Sequence, residues 1–229
     1  MSVSFAASAG LAVVGATSLA IAPKRQKILA AVPLLFAIQQ AIEGIQWMYL
    51  DQGLVCRSAA YGFLFFALIV WPVLIPLIVY LIDRPRRHII RFFVWLGALV
   101  AAWFTYKLFT VPLDVQVIGQ HIFYNPPGPF YWRLDFVFYM TATVGGLLVS
   151  SKRAFQVLGV LALLLAGATL AISWTTAASV WCLFDAALSV CLEDYDFFSQ
   201  LYDAYNRAEP LMKQEFFRAC ENFLKMSRR

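Results

Sequence analysis

Gln39, Gln40, Glu43, Gln46 and Trp47 crowd into one short segment, with one carboxyl set among three primary amides. At about 100° per residue they share an arc of roughly 120° on a helix. Ile38, Ala41, Ile45 and Met48 take the opposite face. A carboxyl in this setting can exchange a proton or, with the amides, hydrogen-bond a polar ligand. Against lipid it costs ~3 kcal/mol on insertion scales, so Glu43 is expected to face a helix-bundle interior, protonated or hydrogen-bonded by a neighbouring glutamine. Two readings stay open. The strip is a ligand-binding or proton-handling site, or it is a hydrogen-bonded knot that glues helices together.

Asp185 is the second carboxyl in an apolar run, sharing one helix side with Trp181, Cys182 and Ser189. Facing Glu43, it would share a proton with it; on a shallower helix it is an interfacial charge. His121 lies in a long connector, where it acts as a pH-sensitive group or as a surface hydrogen-bonding side chain. Asp185 and His121 join Gln39, Gln40, Glu43, Gln46 and Trp47 as candidate ligand-binding residues.

Other chemistries lack their residues. In the topology argued below, His88 and His121 fall on opposite membrane sides, and two histidines are too few for a three-histidine zinc site. Cys56 falls outside, Cys182 and Cys191 in the membrane and Cys220 inside, which suits neither a disulfide nor a zinc cluster. There is no Gly-x-Ser-x-Gly element, no phosphate-binding glycine loop and no lysine in the last apolar run to form a retinal Schiff base. No catalytic residue, metal or cofactor is therefore expected.

The elements that position these residues follow from composition. The 229-residue chain is 62% hydrophobic and 14% charged, outside the range of soluble domains. Seven runs approach or reach the ~20 residues that cross a bilayer: 3–22, 28–50, 59–82, 89–108, 132–149, 155–174 and 177–192. They are read as helices because lipid offers no partner to unpaired backbone groups. The first is read as uncleaved, since no basic residue precedes it and Pro23 follows the cleavage-like Ala20-Ile21-Ala22. The expectation is an all-α, seven-helix transmembrane bundle over residues 1–192, followed by a cytoplasmic helical tail over 193–229.

The net charge of +5 sits in alternate loops rather than on a nucleic-acid-binding face. Lys24, Arg25 and Lys27 follow the first run, Arg84, Arg86, Arg87 and Arg91 the third, and Lys152 and Arg153 the fifth. Keeping these loops inside puts the amino terminus outside and the carboxyl terminus in the cytoplasm. Trp47, Tyr49, Trp103, Tyr106, Trp132 and Trp174 suit an interfacial belt, and some suit packing equally well.

The external connector 109–131 reads as a hairpin, with Asp114–Val117 and His121–Tyr124 on either side of Gly119 and a turn at Asn125-Pro126-Pro127-Gly128-Pro129. It is either a lid over the outer mouth or a packed connector. In the tail, Pro210 suits a helix start, and Met212, Phe216, Ala219, Phe223 and Met226 recur at helical spacing. Its seven acidic and six basic residues argue against a strongly basic lipid anchor. The tail could instead hold a cytoplasmic protein partner.

The segments Gln39-Gln40-Ala41-Ile42-Glu43-Gly44-Ile45-Gln46-Trp47 and Ala178-Ser179-Val180-Trp181-Cys182-Leu183-Phe184 resemble a family of uncharacterised bacterial multi-pass membrane proteins. That family has a Met-Cys-Phe-Ser-type start, a Gln-Gln-x-x-Glu-Gly-x-x-Trp helix and a Ser-Val-Trp-Cys-Phe-Phe-type last helix. Similarity continues through Val70-Trp71-Pro72, Gly119–Tyr124 and Leu147–Ser151. The resemblance implies a bacterial inner-membrane protein and carries no activity. Ser2 stands where the family start has cysteine, and Asp185 where a small residue is expected. The leading functional expectation is a sensor or receptor-like protein binding a small molecule or lipid around Glu43. The alternatives are proton- or ion-coupled transport, an intramembrane lipid-acting enzyme using Glu43 or Asp185, and a subunit of a larger membrane complex.

Overall fold

A computed structural model describes residues 2–24, 26–118, 121–125 and 132–172. The seventh run, with Asp185, and the tail lie outside the described residues. The chain is mostly helical. Helix α1 runs Ser2–Ile21, a short turn α2 Lys27–Ala30, and α3 Val32–Leu50. Next come α4 (Arg57–Phe65) and α5 (Trp71–Ile82), joined by a wide turn at Phe66–Val70, and then α6 (Arg87–Thr110). After the hairpin β1 (Asp114–Ile118) and β2 (His121–Asn125) come α7 (Trp132–Leu148) and α8 (Arg153–Ile172). Four stretches are long and apolar enough to cross a membrane: Ser4–Ile21, Lys27–Leu50, Arg57–Ile82 and Arg87–Thr110.

Two of the expected helices are interrupted, and prolines explain both. Pro33 has no amide to donate to the Leu29 carbonyl, so the second run breaks at Ala31 into α2 and α3. In the third run the Trp71 amide reaches back to Phe66 rather than Ala67, widening the turn over Phe66–Val70. Pro72 cannot supply the next amide, and the Ala67 carbonyl instead accepts a 2.7 Å hydrogen bond from the Tyr139 hydroxyl of α7. One turn on, Pro76 deprives the Pro72 carbonyl of its helical donor. Gly97 of α6 lies against that carbonyl, and any β-carbon at position 97 would collide with it. The glycine sets how closely α5 and α6 approach.

The all-α expectation needs one addition, the two-stranded antiparallel sheet. Its register pairs Val115 with Tyr124 and Val117 with Ile122 on one face, and Gln116 with Phe123 and Ile118 with His121 on the other. Val115, Ile122 and Tyr124 are buried against Ala60, Phe63 and Leu64. Tyr124 stacks on Phe63 at 4.8 Å between ring centroids. The apolar face of the alternation is thus spent on the helices, and the connector is packed.

Polar clusters fasten the other helices at both ends. Asp83, wholly buried, accepts from the Ser150 hydroxyl at 2.6 Å, the Ser151 hydroxyl at 2.7 Å, the Ser151 amide at 2.5 Å and the Arg86 amide at 3.3 Å. Arg86 returns a 2.8 Å bond to the Val149 carbonyl. The connection before α6 is thereby tied to the one before α8. Near the far end of α6, Lys107 pairs with Asp135 of α7 at 2.5 Å, and Trp103 donates to the same carboxylate at 2.8 Å.

Candidate functional site

Helix α3 carries the candidate site. Gln39 is 0% exposed, Gln40 1%, Glu43 3% and Gln46 0%, whereas Ile38, Ile45 and Met48 are exposed. The expected division of the helix into a polar inner face and an apolar outer face is therefore present. It is the reverse of a soluble amphipathic helix, as required where the surroundings are hydrocarbon.

Two neighbours enclose the strip. Helix α1 crosses α3 closely at Gly44, where an added β-carbon would meet the Phe5 ring at 2.8 Å, and Ser8 donates to the Ala37 carbonyl at 2.8 Å. From α5, the Trp71 indole N–H donates to Gln39 Oε1 at 2.7 Å. Trp71 is held by stacking on Phe36, with centroids 3.9 Å apart and planes at 17°. Trp71 follows directly on the wide turn at Phe66–Val70, so the backbone irregularity created by Pro72 delivers the indole to the strip.

Gln40 and Gln46 differ from Gln39. Both their amide nitrogens and both their amide oxygens are buried without a hydrogen-bond partner among the described residues. Each amide can give two hydrogen bonds and accept two, so together they offer donors and acceptors with no net charge. Glu43 lies between them along the helix and adds a group that can hold or release a proton.

The other candidates fall elsewhere. Trp47 is partly buried against the cluster of Phe63, Val115 and Ile122, and joins the strip to the hairpin. His121 is partly buried on β2, on the face turned away from the packed pair Val115 and Tyr124. Asp185 lies outside the described residues. Among the described residues no group of three His, Cys, Asp or Glu side chains could hold a metal ion. Cys56 precedes α4, where a hydrogen bond with the Ser58 hydroxyl draws its thiol below the ordinary range.

Several interacting residues had no place in the sequence reading: Asp83 with Ser150 and Ser151, Asp135 as the partner of Lys107, and Tyr139. Proline was the usable signal for Tyr139, since Pro72 announces a carbonyl in need of a donor.

Four apolar helical stretches of membrane length are compatible with a membrane protein, and one of them carries a buried polar strip. Residues 2–201 match the model of a family of unknown function, DUF6629, and the chain belongs to that family. The match runs beyond residue 192, where the resemblance drawn from the sequence stops. No curated protein and no solved structure matches the chain.

Proposed function

We infer that the protein is a seven-helix protein of the bacterial plasma membrane, with its amino terminus outside, that binds a small hydrogen-bonding molecule in the strip Gln39, Gln40, Glu43 and Gln46. In this reading it is sensor- or receptor-like, and the cytoplasmic tail passes on the bound state or recruits a protein. The carrying observation is the pair of buried amides on Gln40 and Gln46 with no partner among the described residues. A buried polar group left unsatisfied costs about 1–3 kcal/mol, and apolar side chains would avoid that cost, so a strip kept polar favours binding over mere packing. The orientation draws support from Asp83, whose hydrogen bonds tie the arginine-bearing connection before α6 to the Lys152-bearing one before α8, in keeping with two basic loops on the same side.

Mass spectrometry of the protein released intact from native membranes tests the reading. A co-purifying small molecule should be present on the wild type and absent from a folded Gln40→Leu/Gln46→Leu variant. The same complement on both proteins, or none on the wild type, would sink it. The burial of Glu43 supports a second reading, proton- or ion-coupled transport. Flux into proteoliposomes that survives Glu43→Gln unchanged would remove that one.

A further inference from the structure

We propose that Glu43 is a proton-binding site reached by a short file of water, which the amides of Gln40 and Gln46 hold beside it. This goes beyond the ligand-binding reading of the α3 strip, and concerns what the buried amides hold while α1 and α5 are closed on α3.

Enclosure sets the size of the partner. The Gln40 and Gln46 side chains are sealed from solvent, yet all four of their amide heteroatoms lack a partner among the described residues. What satisfies them must be small and must both donate and accept. Buried water does this, making about three hydrogen bonds to polar groups otherwise unmatched. A larger ligand would require α1 or α5 to leave α3, against the close crossing at Gly44 and the Trp71 bond to Gln39.

Spacing sets the path. Gln39, Glu43 and Gln46 follow one another at i, i+4 and i+7, one above the next on a single helix face, and Gln40 flanks them. At about 1.5 Å per residue, Gln46 lies roughly 6 Å and Glu43 roughly 10 Å inside the Leu50 end of α3. Water therefore has a short way to go from that end, with the Gln46 amide along it and the Gln40 amide just beyond Glu43. A proton arriving from water is taken up by a Glu43 carboxylate oxygen and is returned to water by the reverse step.

Charge sets the assignment to Glu43. Helix α1 contributes no ionisable side chain. Helix α4 contributes Arg57 at its start and the phenol of Tyr61, α5 only the phenol of Tyr80 in its last turn, while Lys27 of α2 lies beyond the opposite end of α3. Asp114 and His121 belong to the hairpin. Among these packed elements Glu43 is the one acid set within the strip.

Dicyclohexylcarbodiimide, which adds to protonated carboxyls in apolar surroundings, is the probe, applied to the full-length protein in nanodiscs across a pH series. Peptide mass analysis should find the adduct on Glu43, with labelling falling about tenfold per pH unit above its midpoint. In Gln40→Leu/Gln46→Leu the Glu43 adduct should no longer depend on pH, because water is shut out. An unlabelled Glu43, or one pH profile for both proteins, overturns the proposal. Infrared spectroscopy of the wild type decides independently of how that variant folds. A carboxyl band that titrates, shifts in heavy water and is lost in Glu43→Gln supports the proposal, and a band that neither titrates nor exchanges refutes it. A titrating Glu43 in a protein without a co-purifying molecule separates this inference from the ligand-binding reading, as does the converse result.

Discussion

The Tyr139 hydroxyl donates a 2.7 Å hydrogen bond to the Ala67 carbonyl, seventy-two positions earlier in the chain. Proline chemistry made that carbonyl available. The Trp71 amide goes to Phe66, Pro72 has no amide to give, and a hydroxyl from α7 supplies the donor. The same irregular turn sets Trp71 against Gln39, so a backbone defect, a helix contact and the polar strip share one cause.

Replacing Tyr139 by Phe leaves the Ala67 carbonyl without that donor and should lower stability by about 1–2 kcal/mol, read as thermal unfolding in detergent. In a Pro72→Ala background the amide at position 72 can serve the helix again, and the loss should shrink. Equal losses in both backgrounds would show that the bond does not compensate for the proline.

The Asp83 cluster predicts a pH effect with a definite sign. Burial alone pushes the Asp83 carboxyl up, but the hydroxyls of Ser150 and Ser151 and the amides of Ser151 and Arg86 outweigh it, and the net shift is downward. A carboxylate held below its ordinary range contributes stability that is complete above that range and is lost as pH falls through the folded value. Acidification should therefore loosen the connections before α6 and α8 in the wild type. Asp83→Asn should cost about 2 kcal/mol at neutral pH and flatten the acid dependence. Hydrogen exchange at residues 149–153 measures both; a variant with wild-type acid sensitivity would contradict the assignment.

Lys107 and Asp135 form a largely buried ion pair, with the ammonium also 4.7 Å from the Trp103 ring centroid. Removing one partner strands the other charge, so Lys107→Met alone should cost about 3–5 kcal/mol. Lys107→Met with Asp135→Leu should recover most of it. A double variant no better than the single would mean that the pair contributes more than charge neutralisation.

Reporter fusions test the orientation. Green fluorescent protein after Arg229 should fluoresce, and alkaline phosphatase should be active after Gln52 and silent after Arg86. The opposite pattern would invert the proposed topology.

Much of the scaffold could be read from the residues because hydrocarbon imposes simple rules. The six described apolar runs emerged as helices within a few residues of their expected bounds, and the alternation around Gly119 produced the hairpin with Val115 and Tyr124 paired. The polar face of α3 was legible because periodicity alone fixes which side Gln39, Glu43 and Gln46 share. Asp83 was not, since its burial depends on two serines far along the chain and nothing local to Asp83-Arg84-Pro85 announces them. Lys107 was not either, since its partner, Asp135, lies in the first turn of another helix. Long-range polar pairs leave no period in a sequence, whereas greasy and polar faces do.

Gly97 and Pro72 bring α5 and α6 into close contact at one crossing, and the Asp83 and Lys107 clusters rivet the far corners of the neighbouring helices. The α1–α3 pair meets this riveted block along a seam where Trp71 reaches Gln39. Apolar packing of Val32 and Phe36 on Trp71 and the indole–amide bond hold that seam. Any swing of the first helices would thus part the indole from the amide and lay the strip open from the side.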